Sequence, residues 1–506
     1  MNLLTDDFLS ARRESDGEHV WIGLKEIICT NNDYSFMYPR DDLELGALCL
    51  CISIVQCLWP PENLNELKNR IRKPMNFEEY EEGIQNYIDW FNLEDEKYPF
   101  MQVKGVKASN STPLDKLLPG LTGGTNCTFV NEPKQAVSLC SGCAAIALFN
   151  DASSAPGFGG GFKAGLRGSA PITTLIQGGC LRETIWMNVL SMDIGGDSFF
   201  NKKLNSLPTW VDPIKEKTQF SAAGIGLMRG IFWQPAHIEL NGQVHGTTCS
   251  CCGRKVDSVF KNFNKAKFNY TVTDIWTHPH SPRYLSLKGS EIVQRFASFT
   301  TSAPSWTHLN RFVVQEEVSK NNKEGQEPAL VIVQAKKLLG RKSNLIILII
   351  GGYQNNQATI LDRRHEVMTF RTFERSVLSE IVGCGLKFKS ALRGALYVFS
   401  QGMKESGSSG KIKGNGTLIY QTGDEFFYKR TQAVVEDALV SIDSENLTLI
   451  DEYKKTLCWI GEAIFEELTA PYLHDPQLVH TLAVARRTWW KKVRDIMPIE
   501  KEGENG

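Results

Sequence analysis

Apolar positions along the chain fall into three regimes. Between residues 41 and 91 they recur at helical spacing. Asp41-Asp42 followed by the apolar run Leu43 to Leu58 reads as an N-capped helix ended by Pro60-Pro61. Asn76 reads as the cap of a second helix through Phe91, with Phe77, Tyr80, Ile84, Tyr87 and Ile88 on one face. From about 100 to 310 the chain is rich in Gly, Ser, Thr and Asn and shows few long periodic segments. Arg311 to Val318 and Ala329 to Ala335 suggest a β-hairpin over a charged loop. The apolar run Leu345 to Ile350 reads as a buried strand, ended by Gly351-Gly352 ahead of a polar loop, Tyr353 to Gln357. Beyond about 370 the helical period returns, over 374–403, 423–440, 446–468 and 476–496. In the last segment Leu478, Leu482, Ala485, Trp489, Val493 and Ile496 share one face. Four helices on modest loops make an antiparallel bundle the economical packing. The expected fold class is therefore α+β: a large irregular N-terminal domain over 1–370, then a C-terminal four-helix bundle over 371–506.

Composition narrows the class. At 506 residues the chain exceeds one ordinary core, and 42% hydrophobic with 22% charged residues is globular. MNLLTDDFLS lacks the basic and apolar regions of a signal peptide, and Leu345 to Ile350 is too short to span a bilayer, so a cytoplasmic protein without membrane contact is expected. The net charge of −1 hides a basic segment, Gly253 to Phe268, where Arg254, Lys255, Lys261, Lys265 and Lys267 face the single acid Asp257. Basic patches on a balanced chain suit a subunit that touches nucleic acid over part of its surface.

Of the thirteen cysteines, two pairs carry a pattern: Cys140-Ser-Gly-Cys143 and Cys249-Ser-Cys-Cys252. Two such knuckles supply the four sulfurs of a tetrahedral zinc site, about 2.3 Å from the ion. With all four positions taken by thiolate the site is structural, leaving no place for an activated water. Cys140, Cys143, Cys249 and Cys252 are the better ligand set, and Cys251 is ambiguous. The remaining cysteines read as small hydrophobes in a reducing compartment.

Between the knuckles lies Gly157-Phe-Gly-Gly-Gly-Phe-Lys163. It fits neither the Walker pattern nor GxGxxG in a βαβ unit. Gly157, Gly159, Gly160 and Gly161 give backbone that can approach a ligand closely, and Lys163 and Arg167 add flanking positive charge. A tight structural loop and a backbone insertion into a nucleic-acid groove both remain open. Asn355-Asn356-Gln357 is either a solvated turn or a rigidly mounted set of amides able to meet base edges. His278-Pro-His280 without nearby carboxylates is a weak ligand set, and no Ser-His-Asp, HExxH or dense acidic cluster appears. The basic stripe Arg486, Arg487, Lys491, Lys492 and Arg494 is a solvated face that would track phosphates against nucleic acid.

Taken together, these stretches resemble the large subunits (CasA) of the type I-E CRISPR Cascade complex, nearly end to end. The resemblance rests on Pro39-Arg-Asp-Asp42, Pro99-Phe-Met-Gln102, Thr125-Asn-Cys-Thr-Phe-Val-Asn131, Ala155-Pro-Gly-Phe-Gly-Gly-Gly-Phe162, Phe232-Trp-Gln-Pro-Ala-His-Ile238, Cys249-Ser-Cys-Cys-Gly253, His278-Pro-His-Ser-Pro282 and Gly351 to Gln357. It implies a non-catalytic subunit of a crRNA-guided antiviral complex that recognises the protospacer-adjacent motif (PAM) in double-stranded DNA. The glycine loop would enter the minor groove, with Lys267 as a lysine finger and Lys265 as its possible substitute. Asn356 and Gln357 would wedge beside the motif to start the R-loop. The loop carrying Phe129, Val130 and Asn131 would contact the base of the complex near the motif. The resemblance also implies the crRNA-containing Cascade backbone, its small subunits and a later helicase-nuclease as partners. A basic residue expected before the wedge is Gln354 here. The rival class is a metal-dependent nuclease or other zinc enzyme using His278, His280 and the cysteines.

Overall fold

Asp41–Leu58 forms the long apolar helix that the hydrophobic run predicts, but its cap differs. Arg40 holds the cap position in an extended conformation, and Asp41, Asp42 and Glu44 occupy the first turn, where their charge complements the helix dipole. Asp42, inside the first turn, gives its carboxylate to Arg40. The Asn76 side chain does cap its helix, accepting from the Glu78 amide, but that helix runs only Phe77–Ile84; a 3₁₀ turn follows at Ile88–Phe91. The computed structural model describes residues 1–121, 136–200, 206–319, 322–340, 345–405 and 418–498.

The chain divides into two compact units. The first comprises Met1–Ser302, Gln315–Gly340 and Ile347–Val367. It holds the helix Ser141–Ser154 and several small sheets rather than one large one. In one sheet, Thr112–Pro113 and His237–Asn241 flank Asn262–Ala266, with Lys265 opposite Ile238. A ribbon pairs Val244–Thr248 with Lys255–Val259. A third sheet has the order Thr359–Phe370, Ile346–Asn356, Thr173–Gln177, with Gly351 opposite Thr173.

Two expectations fail here. Leu330–Leu339 is a helix and Leu309–Val313 a helical turn, not a hairpin. Gln334, inside the apolar run, is buried and bonds Val189 and Ser191, so the run's buried positions follow a helical period that tertiary contacts select. The second failure concerns Gly351-Gly352. The strand runs straight through them to Asn356, so Tyr353 is a buried strand residue, not a loop residue. Glycine is needed at 351 because a Cβ there would lie 2.1 Å from the Leu45 side chain on the Asp41–Leu58 helix.

The second unit combines Ala303–Val314, Arg341–Ile346 and Met368–Gly506. Its long helices among the described residues are Arg375–Glu405, Ile419–Ser441, Leu449–Thr469 and Val479–Ile496, and the first packs on the other three. On the last helix Ala485, Trp489 and Val493 are buried, with Trp489 seated against Gly461 and Phe388. Arg486, Arg487, Lys491 and Arg494 face outward. Among the described residues no helix is long and apolar enough to cross a membrane.

Candidate nucleic-acid interface and metal centre

Cys140 sits at the cap position of the Ser141–Ser154 helix and Cys143 in its first turn. Cys249 and Cys252 lie in the turn joining the two ribbon strands. Backbone bonds pin these pieces together: Leu139 and Phe260 exchange both of theirs, and the Ser250 amide donates to the Ser138 carbonyl at 2.8 Å. The four sulfurs lie within 4.8 Å of one another, with Cys140 and Cys252 Sγ 3.7 Å apart and the Cys140 amide 3.3 Å from Cys249 Sγ. Ligands about 2.3 Å from a tetrahedral ion stand about 3.8 Å apart, so the spacing suits one metal ion. Ionisation agrees with that. Hydrogen bonds from Cys140, Cys143 and Cys252 hold Cys249 far down as a thiolate, while Cys143, sharing protons with Cys140 and Cys249 and fully buried, is pushed up. Four adjacent thiols cannot all shed protons unless a cation takes their place. Cys251 is buried nearby but outside the set of four.

The glycine loop leaves the end of that helix. Gly157, Gly159, Gly160 and Gly161 all have positive φ, and a Cβ on Gly157 would lie 2.9 Å from the Lys163 carbonyl, closing the neck of the loop. Arg167, buried and with no carboxylate partner among the described residues, donates to the Ser153 carbonyl and to Thr173 and Ser281, anchoring the far side. Burial lowers it to about 10. Lys163 turns inward: its ammonium bonds the Tyr270 carbonyl and lies over that ring.

The two candidate finger lysines are placed differently. Lys265 is half-buried beneath the loop, its ammonium 4.4 Å from the Phe158 ring centre and 5.5 Å from that of Phe162. Burial lowers its pKa, and Lys116 adds to that. Lys267 lies just past the end of the Asn262–Ala266 strand, exposed, and donates to the Gly160 carbonyl at 3.0 Å.

The hairpin tip meets the same loop. Ala358 Cβ lies 3.2 Å from where a Cβ on Gly159 would be. Asn356 and Gln357 are exposed, and Gln357 has φ +53, a strained left-handed conformation for a residue with a side chain. Asn355 braces the turn, donating to Ser169 Oγ at 2.9 Å and to the Gln357 carbonyl. Between loop and hairpin lies a cleft of about 100 Å³ lined by Lys116, Gly157, Ala358 and Asp151. Burial pushes the Asp151 carboxyl up to about 8, against the attraction of Lys265.

The structure thus brings Gly157, Gly159, Gly160, Gly161, Lys267, Asn356 and Gln357 to one surface, with Lys163 and Lys265 beneath it. Phe129, Val130 and Asn131 lie outside the described residues. His278 and His280 do not join the cysteines. Both are buried and lowered by burial, His280 to about 4, and His280 Nε2 pairs with the Asn188 carbonyl at 2.9 Å. The sequence did not reveal the roles of Tyr353, Asp42 and Asp151; Asp42 and Tyr353 lie in stretches that carry the resemblance, and Asp151 lies in none.

A sequence model of the family described as CRISPR-associated protein Cse1 matches residues 2–463. The chain belongs to the Cse1 family. It is similar to Cse1 of Thermobifida fusca, with TM-score 0.71 and 15% identity over 98% of either chain. It is similar to CasA (Cse1) of Thermus thermophilus, with TM-score 0.70 and 15% identity over 97% of this chain and 99% of that one. A chain of a CRISPR RNA-guided surveillance complex matches 97% of this chain and 99% of its own length, with TM-score 0.66 at 14% identity. At such identities these likenesses speak for the Cse1 fold.

Proposed function

We propose that the chain is the large, non-catalytic subunit of a crRNA-guided surveillance complex in the cytoplasm. In this reading it recognises the protospacer-adjacent motif in double-stranded DNA, begins strand separation, and then serves as the docking platform for a helicase-nuclease. The carrying observation is convergence: an exposed glycine backbone, the Lys267 ammonium on it and an amide-tipped hairpin meet from three distant parts of the chain. Side-chain-free backbone suits the narrow minor groove, where the pattern of acceptors is degenerate and a few motif variants are tolerated. Lys267, exposed at the rim, is better placed than the enclosed Lys265 to reach DNA, and Lys163 and Lys265 then serve to stiffen the loop. Asn356 and Gln357, exposed at the hairpin tip, would act as the wedge beside the motif, and guide pairing would offset the unstacking of a few kcal/mol.

The metal in this reading is Zn²⁺, held by Cys140, Cys143, Cys249 and Cys252. When bound it supplies cross-linking only, since four thiolates leave no open position. It would brace the root of the glycine loop through the helix that starts at Cys140. The crRNA-bearing backbone, small subunits and target DNA are the partners. The test is binding of a duplex library randomised at the motif, by complex assembled with and without this chain. Motif-selective retention only with the chain is expected. Equal selectivity in both would sink the reading.

A further inference from the structure

The hairpin that carries Asn356 and Gln357 is fastened by both strands to the first turn of the Asp41–Leu58 helix. From one strand, the Tyr353 hydroxyl donates to Asp42 Oδ2 at 2.7 Å and accepts from Asn150 Nδ2 at 2.7 Å. From the other, Arg363 reaches Asp41 at 3.4 Å and Asp42 at 3.8 Å. Arg40 grips the same Asp42 carboxylate with two bonds, at 2.9 and 2.6 Å, and donates to the Pro119 carbonyl at 2.7 Å. Gly351, on the same strand face as Tyr353, presses on Leu45 one helical turn further along. The strand is therefore clamped at two heights, and the exposed tip begins three residues beyond Tyr353.

Tyr353 is 1% exposed, so its hydroxyl has been taken out of water completely. A buried hydroxyl is a cost unless it is bonded, and a phenylalanine ring would fill the same space without that cost. The hydroxyl must therefore do something a ring alone does not. We propose that Tyr353, acting through Asp42, is a positioning residue for strand opening: it fixes the tilt of the hairpin so that the amide tip stays level with the glycine loop when pushed against stacked bases. The inference rests on the wedge reading of Asn356 and Gln357. Parting a base step meets a resistance of a few kcal/mol, and a compliant hairpin would bend rather than transmit the load. A charge-assisted bond to a carboxylate that Arg40 and Arg363 already hold in place supplies the stiffness.

The experiment uses the assembled guide-loaded complex and two targets, a full duplex and one already unpaired beside the motif. Opening is read from 2-aminopurine fluorescence at the first target positions, and capture from affinity for the pre-opened target. Tyr353→Phe should slow duplex opening about tenfold, the scale of one charge-assisted hydrogen bond, and leave pre-opened affinity within about twofold. Tyr353→Phe combined with Gln357→Ala should be no slower than Gln357→Ala alone, because both act through the tip. Asn150→Ala, which frees the other side of the hydroxyl, should give the same split and stands in if Tyr353→Phe fails to assemble. Equal losses on both targets, or additive losses in the double variant, would overturn the inference. If Gln357→Ala slows opening and Tyr353→Phe does not, the wedge stands and the positioning role falls. If neither slows opening, both fall together.

Discussion

The Lys267 ammonium donates to the carbonyl of Gly160 across 3.0 Å, joining two residues 107 positions apart at the rim of one loop. Gly160 has φ +57, and nothing lies within 4 Å of a Cβ placed on it. Space at this position is kept open outward, so the glycine answers to backbone conformation and to whatever approaches from outside.

Gly160→Trp therefore separates folding from recognition. The left-handed backbone makes any side chain cost about 1–2 kcal/mol, a drop of a few degrees in Tm by calorimetry. Motif-dependent affinity of the assembled complex should fall at least tenfold in electrophoretic binding. Unchanged affinity would favour a pure scaffold.

The two lysines should part company on substitution. Lys267→Ala should weaken DNA binding and flatten its salt dependence by about one phosphate contact, with Tm unchanged. Lys265→Ala should instead lower Tm, since its ammonium lies 4.4 Å from the Phe158 ring centre. A parallel loss of salt slope in Lys265→Ala with no change in Tm would reverse the assignment.

Gln357→Gly removes a side chain from a position with φ +53. Stability should rise by about 1 kcal/mol in denaturant titration, the penalty for a left-handed non-glycine residue. The same variant should open duplex targets more slowly than the parent. Faster or equal opening would show that the amide is not the working group.

Elemental analysis should find one zinc ion per chain, lost in both Cys143→Ser and Cys252→Ser. Chelation should lower Tm of the parent and leave the serine variants unmoved. Zinc retained in both variants would refute the ligand set.

Asp151 sets a pH dependence whose sign follows from burial. Its carboxyl is raised from 3.8 to about 8 in the folded chain, so the folded state keeps a proton that the unfolded state has already released. Its contribution to stability is fully present below about pH 4 and is lost as pH rises toward 8. Asp151→Asn should consequently gain Tm over the parent more at pH 8 than at pH 5. A gap that shrinks over that range would contradict the shift.

The C-terminal helices and the cysteine set were legible because their signals are local. Leu478 to Ile496 repeats at 3.6 residues, and each CxxC word lies within four positions. The segment Ala329 to Ala335 misled because Val331, Ile332 and Val333 favour strands intrinsically, while the bonds of buried Gln334 to Val189 and Ser191 are set by residues far away. Gly351-Gly352 looked like an ending because close approach to Leu45 leaves no mark in the sequence. The loop and its lysines could be suspected from composition, but that Lys265 lies under the loop and Lys267 on it depends on strand pairing. Nothing local joins Tyr353 to Asp42.

That bond spans 311 positions, and it dictates an order of events during synthesis. The helix bearing Asp42 leaves the ribosome early, already able to pair with Arg40, and must wait for residue 353 before its carboxylate is fully satisfied. Chains interrupted before the hairpin leave Asp42 without Tyr353 and Arg363. Such fragments leave a buried carboxylate short of two of its partners, so the arrival of the hairpin is what completes the polar centre of the first unit.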